Sequence, residues 1–310
     1  MQLNRILRRP TSVINSFNFS FSGENLRNPK ANRPYRDRVK TIILDNSGTC
    51  LDPFVIAPAV VFKEVFKNYK IDISMKEARE PMGLRKDLHI AEILKIPRVQ
   101  DEFKKVYGRK SSKEDIDKIF KEFVPAQVKV LPKYCNLLPM VRTTMDLLRK
   151  QNIKFGTTTG FTREMVDCII KNTQKDGLHF DTTTAGDDFP PEEMHLGARP
   201  KPFMVWKNLF KLDAWPIESV VKVDDTITGI QEGINAGCWS IGITDYSNYM
   251  DIDTIEQWDN MDEKEKLERK EYSRKKIMNE SGAHYVIQEF EDLLDVVDDI
   301  NHRLSMGEKP

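Results

Sequence analysis

Apolar positions along the chain fall into two rhythms. In the first, short β-branched or apolar runs end abruptly in small, polar or acidic residues. Residues 39–44 stop at Asp45-Asn46-Ser47-Gly48-Thr49, residues 153–159 at Gly160, and residues 220–223 at Asp224-Asp225-Thr226. Runs of this length predict strands buried on both faces. Residues 240–244 and 284–287 read the same way. The second rhythm is helical: Thr162 is placed to cap a helix through Met165 and Ile169, a helix after Thr226 stops near Gly237, and another spans about 289–301. Strands alternating with helices predict an α/β fold, a doubly wound parallel (Rossmann-like) sheet whose ligands bind at the carboxyl ends of its strands. Asp45, Thr159 and Asp225 all fall at such ends.

Between residues 57 and 134 the pattern is helical and strand-poor, with runs at 60–69, 76–79, 84–94 and 113–123. A stretch this long after the first strand exceeds any ordinary connection. It predicts a helical cap domain, residues 57–135, inserted into a core made of residues 39–56 and 136–304. Residues 187–196, acidic and proline-bearing, read as a surface loop, and the mixed charges of 256–276 as a solvated helix face. The first 38 residues stand apart, with seven arginines against only Glu24 and Asp37. That is the composition of a basic, disordered extension or of a mitochondrial transit peptide.

Composition narrows the function classes. A chain of 310 residues with 39% apolar content can bury one sizeable core and a second, smaller unit. The 48 basic and 48 acidic side chains cancel, so nothing in the bulk charge favours nucleic acid or an anionic membrane, and an anion must be held locally. The longest apolar run, around 54–62, is broken by Pro58 and is about half the length a membrane helix requires. Four cysteines without a Cys-x-x-Cys pair and five histidines without zinc-ligand spacing fit a reduced intracellular compartment, cytoplasmic or mitochondrial.

An aspartate that ends a buried strand and is followed by small residues can place its carboxylate beside a phosphoryl group and attack it, which makes Asp45 the candidate nucleophile. With Asp225 from a second strand end it forms a hard oxygen site for Mg²⁺, completed by a backbone carbonyl and water. Thr159 and Gly160 offer a hydroxyl and an accessible N–H to phosphoryl oxygens. Arg199 can supply positive charge against developing negative charge, with Lys201 as its competitor.

These residues resemble the haloacid dehalogenase superfamily, and within it the phosphonoacetaldehyde hydrolase (phosphonatase) family. The likeness runs from about residue 40 to 307 and includes Ala57-Pro58, Glu77-Ala78-Arg79-Glu80-Pro81-Met82-Gly83-Leu84, Thr158-Thr159-Gly160-Phe161-Thr162-Arg163-Glu164-Met165, Val221-Lys222-Val223-Asp224-Asp225-Thr226 and Gly282-Ala283-His284-Tyr285-Val286. It implies that Lys86 is a Schiff-base lysine, that Met82 and His89 are its neighbours, and that His89 carries a proton near the imine. The metal would be held by Asp45, Asp225 and the Ser47 backbone carbonyl. The substrate would be a small phosphonate, and the enzyme a homodimer joined through the cap, where residues 60–69 offer an apolar face. Lys86 and His89, three apart, share a helix face. A free lysine is only ~1 in 2,000 neutral at pH 7, so burial or a nearby cation such as Arg85 would have to lower its pKa.

The chemistry gives this likeness its logic. A carbon leaving group cannot be protonated off phosphorus as an ester oxygen can, so an electron sink such as an iminium is required. Phosphatases of the superfamily carry an acid two residues after the nucleophile; here that position is Ser47. Ser47 stands where the family usually has alanine, Phe161 where tyrosine is common, and Ala198 interrupts Gly-Arg-Pro; the loop at 189–196 is longer. Two other readings compete: a phosphatase of the same superfamily in which Lys86 is incidental, and a binding protein that retains the fold without catalysis.

Overall fold

Four consecutive buried residues, Thr41–Leu44, form strand β1, too apolar on both faces to sit anywhere but inside a sheet. The computed structural model describes residues 34–310, so the reading of residues 1–38 as an extension or transit peptide lies almost wholly outside the described residues. Five more strands follow: β2 (Lys154–Thr159), β3 (Thr182–Ala185), β4 (Val220–Asp224), β5 (Trp239–Ile243) and β6 (Tyr285–Ile287). All pairings are parallel, in the order β3-β2-β1-β4-β5-β6. The chain therefore builds outward from β1 in one direction and then crosses to its other side. The crevice at that switch, at the carboxyl ends of β1, β2 and β4, is where such sheets bind ligands.

Because side chains alternate across a strand, Ile42 and Leu44 face one way and Ile43 the other. On the first face, Ile42, Leu44, Val221, Val223, Ile241 and Ile243 pack with α6 (Val141–Arg149) and α12 (Leu293–Ser305). On the second, Ile43 and Val220 meet Val205 and Leu212 of α8 (Phe203–Leu212) and Ala236 of α9 (Ile227–Ala236). The sheet is thus covered on both sides.

Between β1 and β2 lie α1 (Ile56–Asn68), α2 (Met75–Arg79), α3 (Lys86–Ile93), α4 (Pro97–Tyr107) and α5 (Lys113–Val130). Their cluster, with Phe62, Phe66, Ile90, Phe103, Ile119 and Phe123, continues onto Phe161, Met165, Val166 and Ile169 at and within α7 (Arg163–Thr173). The insert thus shares apolar core with the sheet layer, and residues Tyr35–Pro310 make one compact unit. The chain enters the insert through left-handed backbone at Asp52, Phe54 and Val55, with φ of 52°, 63° and 53°. Left-handed backbone at a β-branched valine is costly and persists only where packing enforces it.

The pattern of apolar residues does not disclose α4, α6, α8 or β3. Strand β3 reads Thr-Thr-Thr-Ala, without apolar alternation, and is an edge strand. It is held instead by Asn208 of α8, whose Nδ2 donates to Thr157 O at 2.9 Å and Thr184 Oγ1 at 3.0 Å. Thr162 does precede α7, but its side chain makes no capping bond; Asp187 Oδ1 accepts the Arg163 amide at 2.6 Å instead. The capping oxygen therefore comes from the loop after β3. The segment at 187–196 ends in a 3-10 turn, Pro191–Gly197, and the charged stretch forms α10 (Ile255–Asn260) and α11 (Glu263–Glu280).

Replacing Asn208 by alanine leaves the Thr157 carbonyl buried without that donor. Asn208→Ala is expected to lower stability by about 1–3 kcal/mol, read as a lower urea midpoint at unchanged slope.

Candidate active site

Asp45 follows β1 directly and its amide donates to Val223 O at 3.0 Å, which ties the strand end to β4. Asp224 and Asp225 close β4, and the carboxylates of Asp45, Asp224 and Asp225 offer oxygens within 4.8 Å of one another. Gly48 allows this approach: it has φ +79°, and a Cβ there would lie 2.4 Å from Asp225 Oδ2. Gly229 does the same for Asp224, whose carboxylate occupies the space a side chain at 229 would take, 2.0 Å from an added Cβ.

A buried arginine holds these acids together. Arg199 Nη2 lies 2.9 Å from Asp45 Oδ1 and 3.3 Å from Asp224 Oδ2, and donates to Thr158 O at 2.8 Å. Its Nε donates to Glu232 Oε2 at 3.0 Å. Lys222, fully buried within β4, meets Asp224 Oδ2 at 2.5 Å. Four buried carboxylates, Asp45, Asp224, Asp225 and Glu232, therefore crowd around two buried cations, Arg199 and Lys222, so the acids outnumber the bases that pair with them. Burial and the neighbouring Asp224 raise Asp45 to about 6, against the pull of Arg199. Burial, Asp224 and Asp45 push Asp225 well up, while burial is outweighed at Asp224 by Arg199 and Lys222, which hold it low. Asp225 Oδ2 accepts the Asn248 amide at 2.9 Å, but Oδ1 is buried with no protein partner. An orphan oxygen among crowded carboxylates that push one another towards protonation is what a divalent cation would satisfy. The donors are hard oxygens, and no histidine or cysteine joins the cluster.

Lys86 opens α3 and is buried, its Nζ 4.9 Å from the Phe161 ring centroid and 5.7 Å from that of Phe62. Burial lowers its pKa to about 7, with Asp45 pulling the other way and Arg199 adding to the fall. Arg85 is not the cause: its guanidinium pairs with Asp87 through both oxygens, at 2.7 and 2.8 Å, and donates to Met194 O. His89 is buried, stacked on Phe62 at 4.1 Å, with Nε2 2.8 Å from Ala78 O. A carbonyl only accepts, so Nε2 carries the proton and Nδ1, which has no partner, carries the lone pair. Burial and then Lys86 keep the ring neutral, its pKa well below the ordinary value.

Met82, Lys86, Thr159, Gly160, Arg199, Asp45, Ser47 and Asp225 line one cavity of about 20 Å³, room for little more than a water molecule. The insert lies over the strand ends and leaves no room there for a molecule much larger than water. Gly160 sets the closeness of that fit, since a Cβ there would lie 2.3 Å from Leu84 O. His89 stands behind Lys86 rather than on the cavity wall, and Lys201 is exposed, donating to His195 O at 3.1 Å. Arg199, not Lys201, is therefore the cation at Asp45. Sequence reasoning missed Asp224, Lys222 and Glu232. A lysine inside a buried strand run and an Asp-Asp doublet were the available signals; Glu232 left none, being one more polar residue on a helix.

The sequence pattern of the family described as haloacid dehalogenase-like hydrolase matches residues 42–243. A phosphonoacetaldehyde hydrolase of Bacillus cytotoxicus is 36% identical, over 84% of this chain and 96% of that protein. One from Paraburkholderia phytofirmans is also 36% identical, over 88% and 99%. A crystal structure of a phosphonoacetaldehyde hydrolase-like protein from Oleispira antarctica superposes with a TM-score of 0.85 at 33% identity, over 91% of this chain and 99% of the other. Among the described residues no helix is long and apolar enough to cross a membrane.

Lys86 has its pKa lowered in the folded state, so below about 7 it must be charged where burial opposes charge, and stability rises with pH from about 7 towards its unfolded value near 10.5. Lys86→Met is expected to stabilise the protein, with a gain in urea midpoint that is largest at or below pH 7 and shrinks by pH 10.

Proposed function

The chain belongs to the phosphonoacetaldehyde hydrolase family of haloacid dehalogenase-like hydrolases, and from that premise we propose that it cleaves the carbon–phosphorus bond of phosphonoacetaldehyde to acetaldehyde and phosphate. The observation that carries this reading is that Lys86 and Asp45 line the same cavity while position 47 provides no carboxylic acid. An ester phosphatase needs an acid for its departing alkoxide; a phosphonatase needs an amine for its carbonyl.

In this mechanism the insert opens, substrate enters, and neutral Lys86 attacks the aldehyde, expelling water to form an iminium. Asp45 Oδ attacks phosphorus, the C–P bond breaks, and its electron pair flows into the iminium to give an enamine and an aspartyl phosphate. Protonation of the enamine carbon and hydrolysis of the imine release acetaldehyde and regenerate Lys86. Water attack on the aspartyl phosphate releases phosphate and frees Asp45. His89, held neutral with its Nδ1 lone pair free, passes protons near the imine rather than storing one. Thr159 and the Gly160 N–H cradle phosphoryl oxygens, and Met82 packs the aldehyde side. Arg199 Nη1, which makes only a 3.5 Å contact with Gly83 O, faces charge that develops on those oxygens.

Mg²⁺ fits the acid cluster, where Asp45, Asp225 and the Ser47 carbonyl would hold it, and it would supply positive charge that lets a carboxylate approach an anionic phosphonate. Asp224 contributes by fixing Arg199 and Lys222 beside that site. Helices α1 to α5 act as the cap, residues 57–135; the apolar side of α1, expected from the sequence to face a second copy, is instead buried inside the insert through Val61, Phe62, Val65 and Phe66. The four cysteines are free, which suits a reduced intracellular compartment.

The test is release of phosphate and acetaldehyde from phosphonoacetaldehyde with Mg²⁺, with borohydride trapping alongside. Wild type is expected to give both products and a substrate-dependent adduct that Lys86→Arg loses. Asp45→Asn is expected to keep the adduct while turnover falls by about 10³-fold or more. Turnover of phosphate esters with no adduct would move the assignment to a phosphatase.

A further inference from the structure

Arg79 ends α2, in the insert, yet its guanidinium is buried against three other parts of the chain. Nη1 donates to Phe54 O in the segment that enters the insert and lies 3.4 Å from Asn248 Oδ1; Nη2 donates to Ile252 O. Nε lies 3.6 Å from Asp253 Oδ1. Asn248 returns the contact, its Nδ2 donating to Arg79 O at 3.2 Å. The Asn248 side chain thus meets both the guanidinium and the main-chain carbonyl of Arg79 across the seam between insert and sheet.

Asn248 is also the residue whose backbone N–H holds Asp225, at 2.9 Å. The same Asp225 oxygen lies so close to Gly48 that a Cβ there would be 2.4 Å away, so the carboxylate is fitted between Asn248 and a position that only glycine can occupy. A buried guanidinium requires partners for its N–H groups, so when the insert lifts, Arg79 must withdraw or give up carbonyls supplied by the sheet side. Either way Asn248 loses both of its side-chain bonds to Arg79.

We propose that Arg79 is a positioning residue that, through Asn248, couples seating of the insert to the orientation of Asp225, so that cation binding and closure of the insert favour each other. The proposal rests on the reading of Asp225 as a cation ligand. Coupling of this kind is reciprocal: whatever closure adds to cation affinity, the cation adds to closure. Arg85 provides the contrast. It clamps the other flank of the same segment, donating to Met194 O and filling the space beside Gly186, but it touches neither Asn248 nor Asp225.

The measurement is Mg²⁺ affinity by calorimetry on the full chain without substrate, for wild type, Arg79→Lys, Asn248→Ala, the double variant, Arg85→Lys and Asp225→Asn. Arg79→Lys keeps the charge but not the forked geometry, and Asn248→Ala keeps the backbone N–H. Each is expected to weaken Mg²⁺ binding by about tenfold, with the double variant no weaker than either single one and Arg85→Lys within about twofold of wild type. Hydrogen exchange supplies the reciprocal readout: Mg²⁺ is expected to slow exchange of the amides around residues 79–84 in wild type but not in Arg79→Lys. Wild-type affinity in Arg79→Lys, losses that multiply in the double variant, or an equal loss in Arg85→Lys would each overturn the coupling. Retained binding in Asp225→Asn would instead overturn the ligand assignment beneath it.

Discussion

The guanidinium of Arg199 is the contact on which the site depends. Carboxylates do not share a dry crevice unless something offsets their repulsion, and Arg199 reaches Asp45, Asp224 and Glu232 at once from a position with almost no solvent exposure. Its planar fork suits that task, because Nη2 faces Asp45, Asp224 and the Thr158 carbonyl while Nε donates to Glu232. Lys222 adds a second positive charge from within β4. The acids still outnumber these bases, and their mutual repulsion pushes Asp225 well up, so the strand ends are a place a divalent cation would suit.

The insert completes the site by excluding water. Phe62 and Phe161 surround the Lys86 ammonium with aromatic carbon, which offers it less than water does, and its pKa falls accordingly. The same closure that shrinks the cavity to the size of a water molecule therefore prepares the amine. Left-handed backbone at Asp52, Phe54 and Val55 marks the point where the chain turns from β1 into that layer of helices.

Much of this could be read from the order of residues. Strand ends announce themselves because a buried run must stop somewhere, and an aspartate at the stop is conspicuous; Asp45 and Asp225 were legible for that reason. Lys86 was legible only through likeness to a family, since a lysine at a helix start is otherwise unremarkable. Strand β3 was not legible, because a Thr-rich edge strand has no alternation and is held by Asn208 from a later helix. The capping of α7 by Asp187 in place of Thr162 was hidden for the same reason, with donor and acceptor 24 residues apart.

The sequence by itself determined the alternation of strand and helix, the place of the insert, the aspartate at the end of β1, and the absence of an acid at position 47. Each of these is a local property, set by side-chain period, by a residue's neighbours in the chain, or by its identity. The tertiary structure decided which cation serves Asp45, why Lys86 is poised to be neutral, and how Arg79 reaches the far side of the seam. Those depend on burial and on Coulomb interactions between residues far apart in the chain, 33 for Arg199 and Glu232, 154 for Arg199 and Asp45, 173 for Arg79 and Ile252. Proton affinity and charge pairing follow distance through space and access to water, and the linear order of residues carries neither quantity.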